Sequence, residues 1–111
     1  MLRSTDIQKQ LEHGRILLKM TSCQSFDSIL VLSLRDLQLN TVFRYLTKCT
    51  NLKILFLSGN FIQMLDIEKH MHKLKTVRKL DLSFNELTEL PSDPRSFSHM
   101  ECLEFFALGG N

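Results

Sequence analysis

The histidines and cysteines are the side chains in this sequence that could bind a metal ion. His70 and His72 stand two positions apart, whereas two ligands on one helical face need a spacing of four. His99 and Cys102 form a second pair, but no Cys-x-x-Cys motif accompanies either pair. A structural zinc ion needs about four ligands that converge in space. The sequence therefore predicts no metal site and no cofactor.

Covalent catalysis needs a nucleophile beside a general base, and the sequence offers no such pair. Cys49 has the inward spacing of Leu46 and Leu52, which predicts a buried thiol rather than a nucleophile. The glycine pair Gly109–Gly110 does not precede a helix, as a phosphate-binding loop would. We therefore expect that the chain is not an enzyme.

Composition narrows the class of protein further. The chain has 111 residues, is 43% hydrophobic and carries a formal charge of +2, too small to argue for nucleic acid by itself. It contains no run of about 18 apolar residues, so no membrane span is expected. The segment Met1 to Gln8 lacks the apolar core of a secretory signal. Three widely spaced cysteines predict free thiols in the reducing cytoplasm.

One spaced pattern of apolar residues and asparagine recurs along the chain. The structure that this pattern forms must position the other side chains. In its clearest copy it reads L-x-x-L-x-L-x-x-N-x-I, from Leu52 to Ile62. The four copies begin at Ile29, Leu52, Val77 and Leu103, at offsets of 23, 25 and 26 residues. The first copy has Leu37 where the others have asparagine. A period of this length is typical of a repeat architecture, in which stacked units share one core.

This pattern resembles the leucine-rich repeat family. The resemblance implies an α/β solenoid: a right-handed superhelix with a short curved parallel sheet on its concave face, helical or irregular returns on its convex face, and an N-terminal helical cap. The predicted domains are the cap at residues 1–28 and the repeats at residues 29–111, divided into 29–51, 52–76, 77–102 and a partial repeat at 103–111. Asn60, Asn85 and Asn111 are expected to form a ladder that satisfies the backbone groups of each turn.

Residues that alternate with the buried leucines should face outward and line the concave surface. The candidates for partner binding are Val31, Arg35, Ile54, Phe56, Lys79, Asp81, Phe84 and Phe105. Val31, Ile54 and Phe105 form an apolar file interrupted by Lys79. Exposed aromatic residues here predict a site for a helix or an extended segment of another protein. The alternative is that the cap, or sequence beyond residue 111, folds over them.

A basic run between Lys69 and Lys79 could attract RNA, tubulin tails or anionic lipid. We favour a solvated convex surface, because the aromatic residues of a nucleic-acid platform are not interleaved with it. Only Lys79 is expected on the concave side. We therefore do not expect nucleic acid as a partner.

The last copy of the pattern stops at Asn111, which leaves Phe106 and Leu108 to line an uncovered end. Solenoids normally close with a polar cap, and an open edge recruits another chain. We expect a longer natural chain, a short isoform, or a partner or second copy that covers this end.

The sequence thus predicts a non-enzymatic module that binds or scaffolds another protein through the concave face. The alternatives are a regulatory subunit or substrate adaptor of the phosphatase or ubiquitin-ligase type, and an RNA-binding accessory protein. The segment from Phe26 to Arg35 resembles small cytosolic and cilium-associated members of the family. A cytoplasmic location is expected, with the cilium or cytoskeleton as the narrower hypothesis.

Overall fold

Short strands joined by helical returns make up the part of the chain that the computed structural model describes, residues 15–41, 44–70, 73–88 and 102–111. The helices are α1 (Arg15–Thr21) and α2 (Met64–His70). The strands are β1 (Val31–Ser33), β2 (Ile54–Phe56), β3 (Lys79–Asp81) and β4 (Phe105–Ala107). Two 3₁₀ turns cover Phe26–Ser28 and Arg44–Lys48. Neither described helix is long and apolar enough to cross a membrane.

The four strands form one parallel sheet in the order β1-β2-β3-β4. The middle residues of the strands, Leu32, Leu55, Leu80 and Phe106, are paired in register. The three leucines are buried, because a strand alternates its side chains and the pattern places an apolar residue on the inner face each time. The predicted parallel sheet of stacked repeats is therefore confirmed.

One continuous core lies behind the sheet. Each of the first three copies of the pattern buries its apolar residues almost completely, as Leu34, Leu57 and Leu82 show. Phe106 is only partly buried and Leu108 is 41% exposed. These two belong to the last described strand, so described repeats pack against them from one side only.

Helix α1 covers a short apolar segment whose periodicity alone does not distinguish a helix from an edge strand. Its C-terminus is closed by hydrogen bonds from the Cys23 N–H to the Leu18 carbonyl (3.1 Å) and from the Ser22 N–H to the Lys19 carbonyl (3.4 Å). Ser22 has a left-handed φ of 56°, as this type of helix end requires.

Candidate functional site

The outward side chains of the sheet form two files, which we call the exposed face. Strand pairing aligns Val31, Ile54, Lys79 and Phe105 in one file. The same pairing aligns Ser33, Phe56, Asp81 and Ala107 in the second. Six of the eight predicted binding residues therefore stand on one surface of the sheet. The other two, Arg35 and Phe84, lie in the turns that follow β1 and β3.

The exposed face is apolar at both ends of the first file. Val31 is 50% exposed and Phe105 is 55% exposed, while Ile54 and Phe56 are half-buried. Lys79 is exposed in the middle of this file. Large apolar side chains left open on a sheet surface are typical of a protein-binding site.

A concavity of about 230 Å³ opens on this face and is lined by Phe56, Lys79, Asp81 and Phe105. Two aromatic rings thus flank one ammonium and one carboxylate group. Asp81 is held in place because its Oδ1 accepts a hydrogen bond from the Ser83 N–H at 3.0 Å. The concavity can accept an apolar side chain while the two charges contact polar groups at its rim.

The guanidinium of Arg35 lies over the ring of Phe56, with Cζ 3.9 Å from the ring centroid. This is cation–π distance, and the planar guanidinium also stacks on the ring. Sequence reasoning named both residues but did not predict their contact. The contact covers part of the Phe56 ring and fixes the position of a positive charge beside it.

Phe84 is the most exposed aromatic residue of the proposed site, at 68%, and has a left-handed φ of 55°. Its equivalents in the other turns are Asp36, Gly59 and Gly110, and all three also have positive φ. A left-handed backbone conformation is unusual for a residue with a bulky side chain. Glycine normally occupies such a position. The glycines before Asn60 and Asn111 could have signalled this turn geometry in the sequence.

The three asparagines hydrogen-bond backbone groups of their own turn and of the preceding repeat. Asn60 accepts from the N–H groups of Leu37 (3.1 Å) and Leu39 (3.0 Å), and donates to the carbonyls of Leu34 (2.9 Å) and Leu57 (2.8 Å). Because the amide reaches backward, the turn of the first repeat is satisfied by Asn60. Position 37 therefore needs no asparagine of its own, and Leu37 packs against the core instead.

Asn85 and Asn111 repeat this arrangement. Asn85 accepts from the Ile62 N–H (3.1 Å) and donates to the carbonyls of Leu57 and Leu82, both at 3.0 Å. Asn111 accepts from the N–H groups of Asn85 and Leu87, also at 3.0 Å. Asn60 and Asn85 are buried, so water cannot reach the backbone groups of these turns. The asparagine amides supply the hydrogen bonds that water would otherwise make.

Cys49 is 2% exposed, which confirms the predicted buried thiol. Burial raises the pKa of this thiol from 9.0 to about 11, and neighbouring Cys23 adds to the effect. The thiol is therefore protonated at neutral pH and is a poor nucleophile. Cys23, Cys49 and Cys102 are all free in the structure.

The titratable residues outside the exposed face do not assemble into a metal site among residues 15–41, 44–70, 73–88 and 102–111. His72 and His99 lie outside those ranges. The basic run is divided as expected: Lys69 lies on α2 and Lys73 and Lys75 follow it, whereas Lys79 lies on β3.

Comparison with known proteins agrees with the geometry. Residues 50–111, more than half of the chain, match the family model for the leucine rich repeat. No curated protein matches the chain. With an apolar pattern that recurs in register, four parallel strands and backward-reaching asparagines, the chain belongs to the leucine-rich repeat family.

Proposed function

We propose that the chain is a non-enzymatic module that binds one partner protein across the exposed face of its sheet. Leucine-rich repeat domains generally mediate interactions between proteins. In this proposal the exposed face is the concave side of a right-handed solenoid, and the contact residues are those predicted from the sequence.

The concavity between Phe56 and Phe105 is the observation that carries the proposal. Binding energy at protein interfaces is concentrated in a few buried aromatic and arginine side chains. Here Phe56 and Phe105 line one concavity, and the guanidinium of Arg35 lies over the Phe56 ring. An apolar side chain of the partner would enter the concavity and be enclosed by both rings.

Lys79 and Asp81 would set the orientation of the partner. They lie on one strand, in different files, and both line the concavity. A partner segment that presents an apolar residue flanked by an acidic and a basic group would match both charges. Charges at the rim of an interface contribute more to specificity and association rate than to affinity.

The decisive experiment compares Phe56→Asp with Leu65→Asp. Leu65 is 75% exposed on α2, outside the sheet, so Leu65→Asp places the same charge at another exposed apolar residue. A protein captured by the wild-type chain is purified and its affinity for each variant is measured by calorimetry. Phe56→Asp should weaken binding by about tenfold or more, whereas Leu65→Asp should not change it.

Equal affinities of both variants for the captured partner would refute the exposed face as the binding site. Salt-sensitive binding to RNA that both variants retain would refute protein binding as the function and favour the basic run instead. Circular dichroism of each variant separates loss of binding from loss of folding.

We further propose that residues 1–28 act as the N-terminal cap of the repeats at 29–111. Leu17 of α1 is fully buried, and Ile16 and Leu18 pack against the same core. A terminal unit that covers the apolar end of a repeat array stabilises the array.

The cytoplasm is the proposed location, with the cilium or cytoskeleton as the narrower option. Three free thiols support it, since free cysteines are usual in reducing compartments. Fluorescence microscopy of the tagged chain tests it, and a signal confined to the secretory pathway would contradict it.

A further inference from the structure

Strand β1 uses only one of its two edges for pairing. The Leu30 carbonyl accepts hydrogen bonds from Lys53 (2.8 Å) and Ile54 (3.1 Å), and the Leu34 N–H donates to the Phe56 carbonyl at 2.8 Å. In a parallel ladder, alternate residues of a strand face the same neighbour. Val31 and Ser33 therefore direct their N–H and C=O groups toward the opposite edge. Within the part of the chain that the structure describes, no strand pairs there.

An open groove of about 400 Å³ runs along this edge, between β1 and the end of α1. The described residues that line it are all uncharged. Three apolar members are substantially exposed: Met20 at 44%, Leu30 at 52% and Val31 at 50%. Proteins usually protect a sheet edge with lysine, proline or a bulge, whereas the sequence of β1 is Val-Leu-Ser.

The groove offers apolar contacts on both sides of the sheet edge. The side chains of Val31 and Ser33 belong to the exposed face, while Leu32 between them is buried in the core and Leu30, just before the strand, is exposed. A strand that pairs with β1 would divide its own side chains in the same way. One set would lie beside Val31 and lengthen the first file of the exposed face. The other set would contact Met20 and Leu30.

We propose that this edge binds a short, extended and uncharged segment of a partner protein, which adds a fifth strand beside β1. The main-chain groups of Val31 and Ser33 require an occupant that offers complementary N–H and C=O groups in an extended conformation. The groove requires that the segment be uncharged, because a charge buried there would lose water without gaining a partner. Because two residues of β1, Val31 and Ser33, direct their main-chain groups toward this edge, the paired segment spans about three to five residues.

The test uses a fluorescein-labelled pentapeptide, Thr-Val-Thr-Val-Thr, with blocked ends. Fluorescence anisotropy measures its dissociation constant for the full chain and for the variants Ser33→Pro and Ser33→Ala. Proline lacks an N–H group but is tolerated where the N–H faces outward on an edge strand. Alanine keeps the N–H group and removes only the hydroxyl. We expect Ser33→Pro to bind roughly fivefold more weakly than Ser33→Ala, which corresponds to one main-chain hydrogen bond.

A second probe covers the case in which Ser33→Pro does not fold. The same pentapeptide with all five residues N-methylated keeps its side chains but loses every main-chain donor whichever residues face β1, and it should bind the unaltered chain at least about fivefold more weakly. Equal binding of the two peptides would overturn the proposal. A wild-type dimer that Ser33→Pro converts to monomer would also overturn it, since the occupant would then be a second copy of the chain.

Discussion

The ring of Phe84 lies where a side chain on Gly110 would have to stand: an added Cβ would come 2.6 Å from Phe84 Cε1. The two residues occupy equivalent positions in adjacent repeats, and both have a left-handed backbone. Asp36 and Gly59 form the same pair two repeats earlier, with Asp36 Cγ 2.9 Å from the corresponding point on Gly59. In each pair a glycine leaves room for a larger side chain of the preceding repeat.

Gly110→Ala should therefore destabilise the chain by about 1 kcal/mol or more, because the methyl group meets the Phe84 ring and φ is 74°. Gly109→Ala is the matched control, since a Cβ there meets no atom within 4 Å. Urea unfolding followed by circular dichroism measures both. Equal unfolding midpoints for the two variants would show that the ring does not occupy the position described.

Phe84→Asn should leave the stability unchanged or raise it by about 0.5 kcal/mol, because asparagine tolerates a left-handed backbone better than phenylalanine. The ring is 68% exposed, so its removal sacrifices little buried area. At the same time the variant should bind the partner protein more weakly. A stabilised variant with wild-type affinity would remove Phe84 from the binding site.

Asn85→Leu should cost about 1–3 kcal/mol, because it leaves the Ile62 N–H without the Asn85 Oδ1 that it contacts, while the carbonyls of Leu57 and Leu82 keep the amides of Asn60 and Asn111. Asn51→Ala is the control: its amide donates to the Asp27 carbonyl at 2.8 Å, but at an exposed site where water can replace it. Its cost should stay below about 1 kcal/mol. Chemical denaturation of both variants decides the comparison.

Leu17→Ala should destabilise the chain by about 2–5 kcal/mol, the range for deletion of a fully buried leucine. Met20→Ala, on the same helix but 44% exposed, should cost less than about 1 kcal/mol. Thermal unfolding of the two variants tests whether α1 is part of the folded unit. Similar melting temperatures of the two variants would show that α1 does not unfold together with the repeats, and would contradict the proposed cap.

The stability should fall between pH 9 and pH 11 through Cys49. The folded chain keeps the thiol proton up to about pH 11, whereas the unfolded chain releases it from about pH 9. The contribution of Cys49 is thus complete below pH 9 and is lost as the pH rises through 11. Under reducing conditions, the urea midpoint of the wild type should decline more steeply over this interval than that of Cys49→Val. Parallel pH profiles would disprove the linkage.

The recurring apolar pattern was sufficient to predict the sheet, because it aligns equivalent positions of the repeats and a slip of one residue would turn Leu32, Leu55 or Leu80 out of the core. It could not predict the stacking of Arg35 on Phe56. That contact joins side chains from two repeats, and their rotamers depend on the space between them rather than on spacing along the chain.

The left-handed Phe84 escaped prediction for a different reason. Local preference argues against that conformation for phenylalanine, yet the turn before Asn85 imposes it in every repeat. The hydrogen bonds of the asparagine outweigh the preference of one residue. Backbone strain of this kind, at an exposed aromatic residue, is often retained because the residue has a function.

The backward reach of the asparagine amides gives the array a polarity. Asn60 accepts a hydrogen bond from the turn that contains Leu37, and Asn85 accepts one from Ile62 in the same way. The turn of each of these repeats is therefore completed by the asparagine of the repeat that follows it. Unfolding of a later repeat should consequently destabilise the repeat before it. Unfolding of an earlier repeat leaves the later asparagine amides hydrogen-bonded to the carbonyls of their own turns. The array should therefore unfold more readily from its C-terminal end than from its N-terminal end.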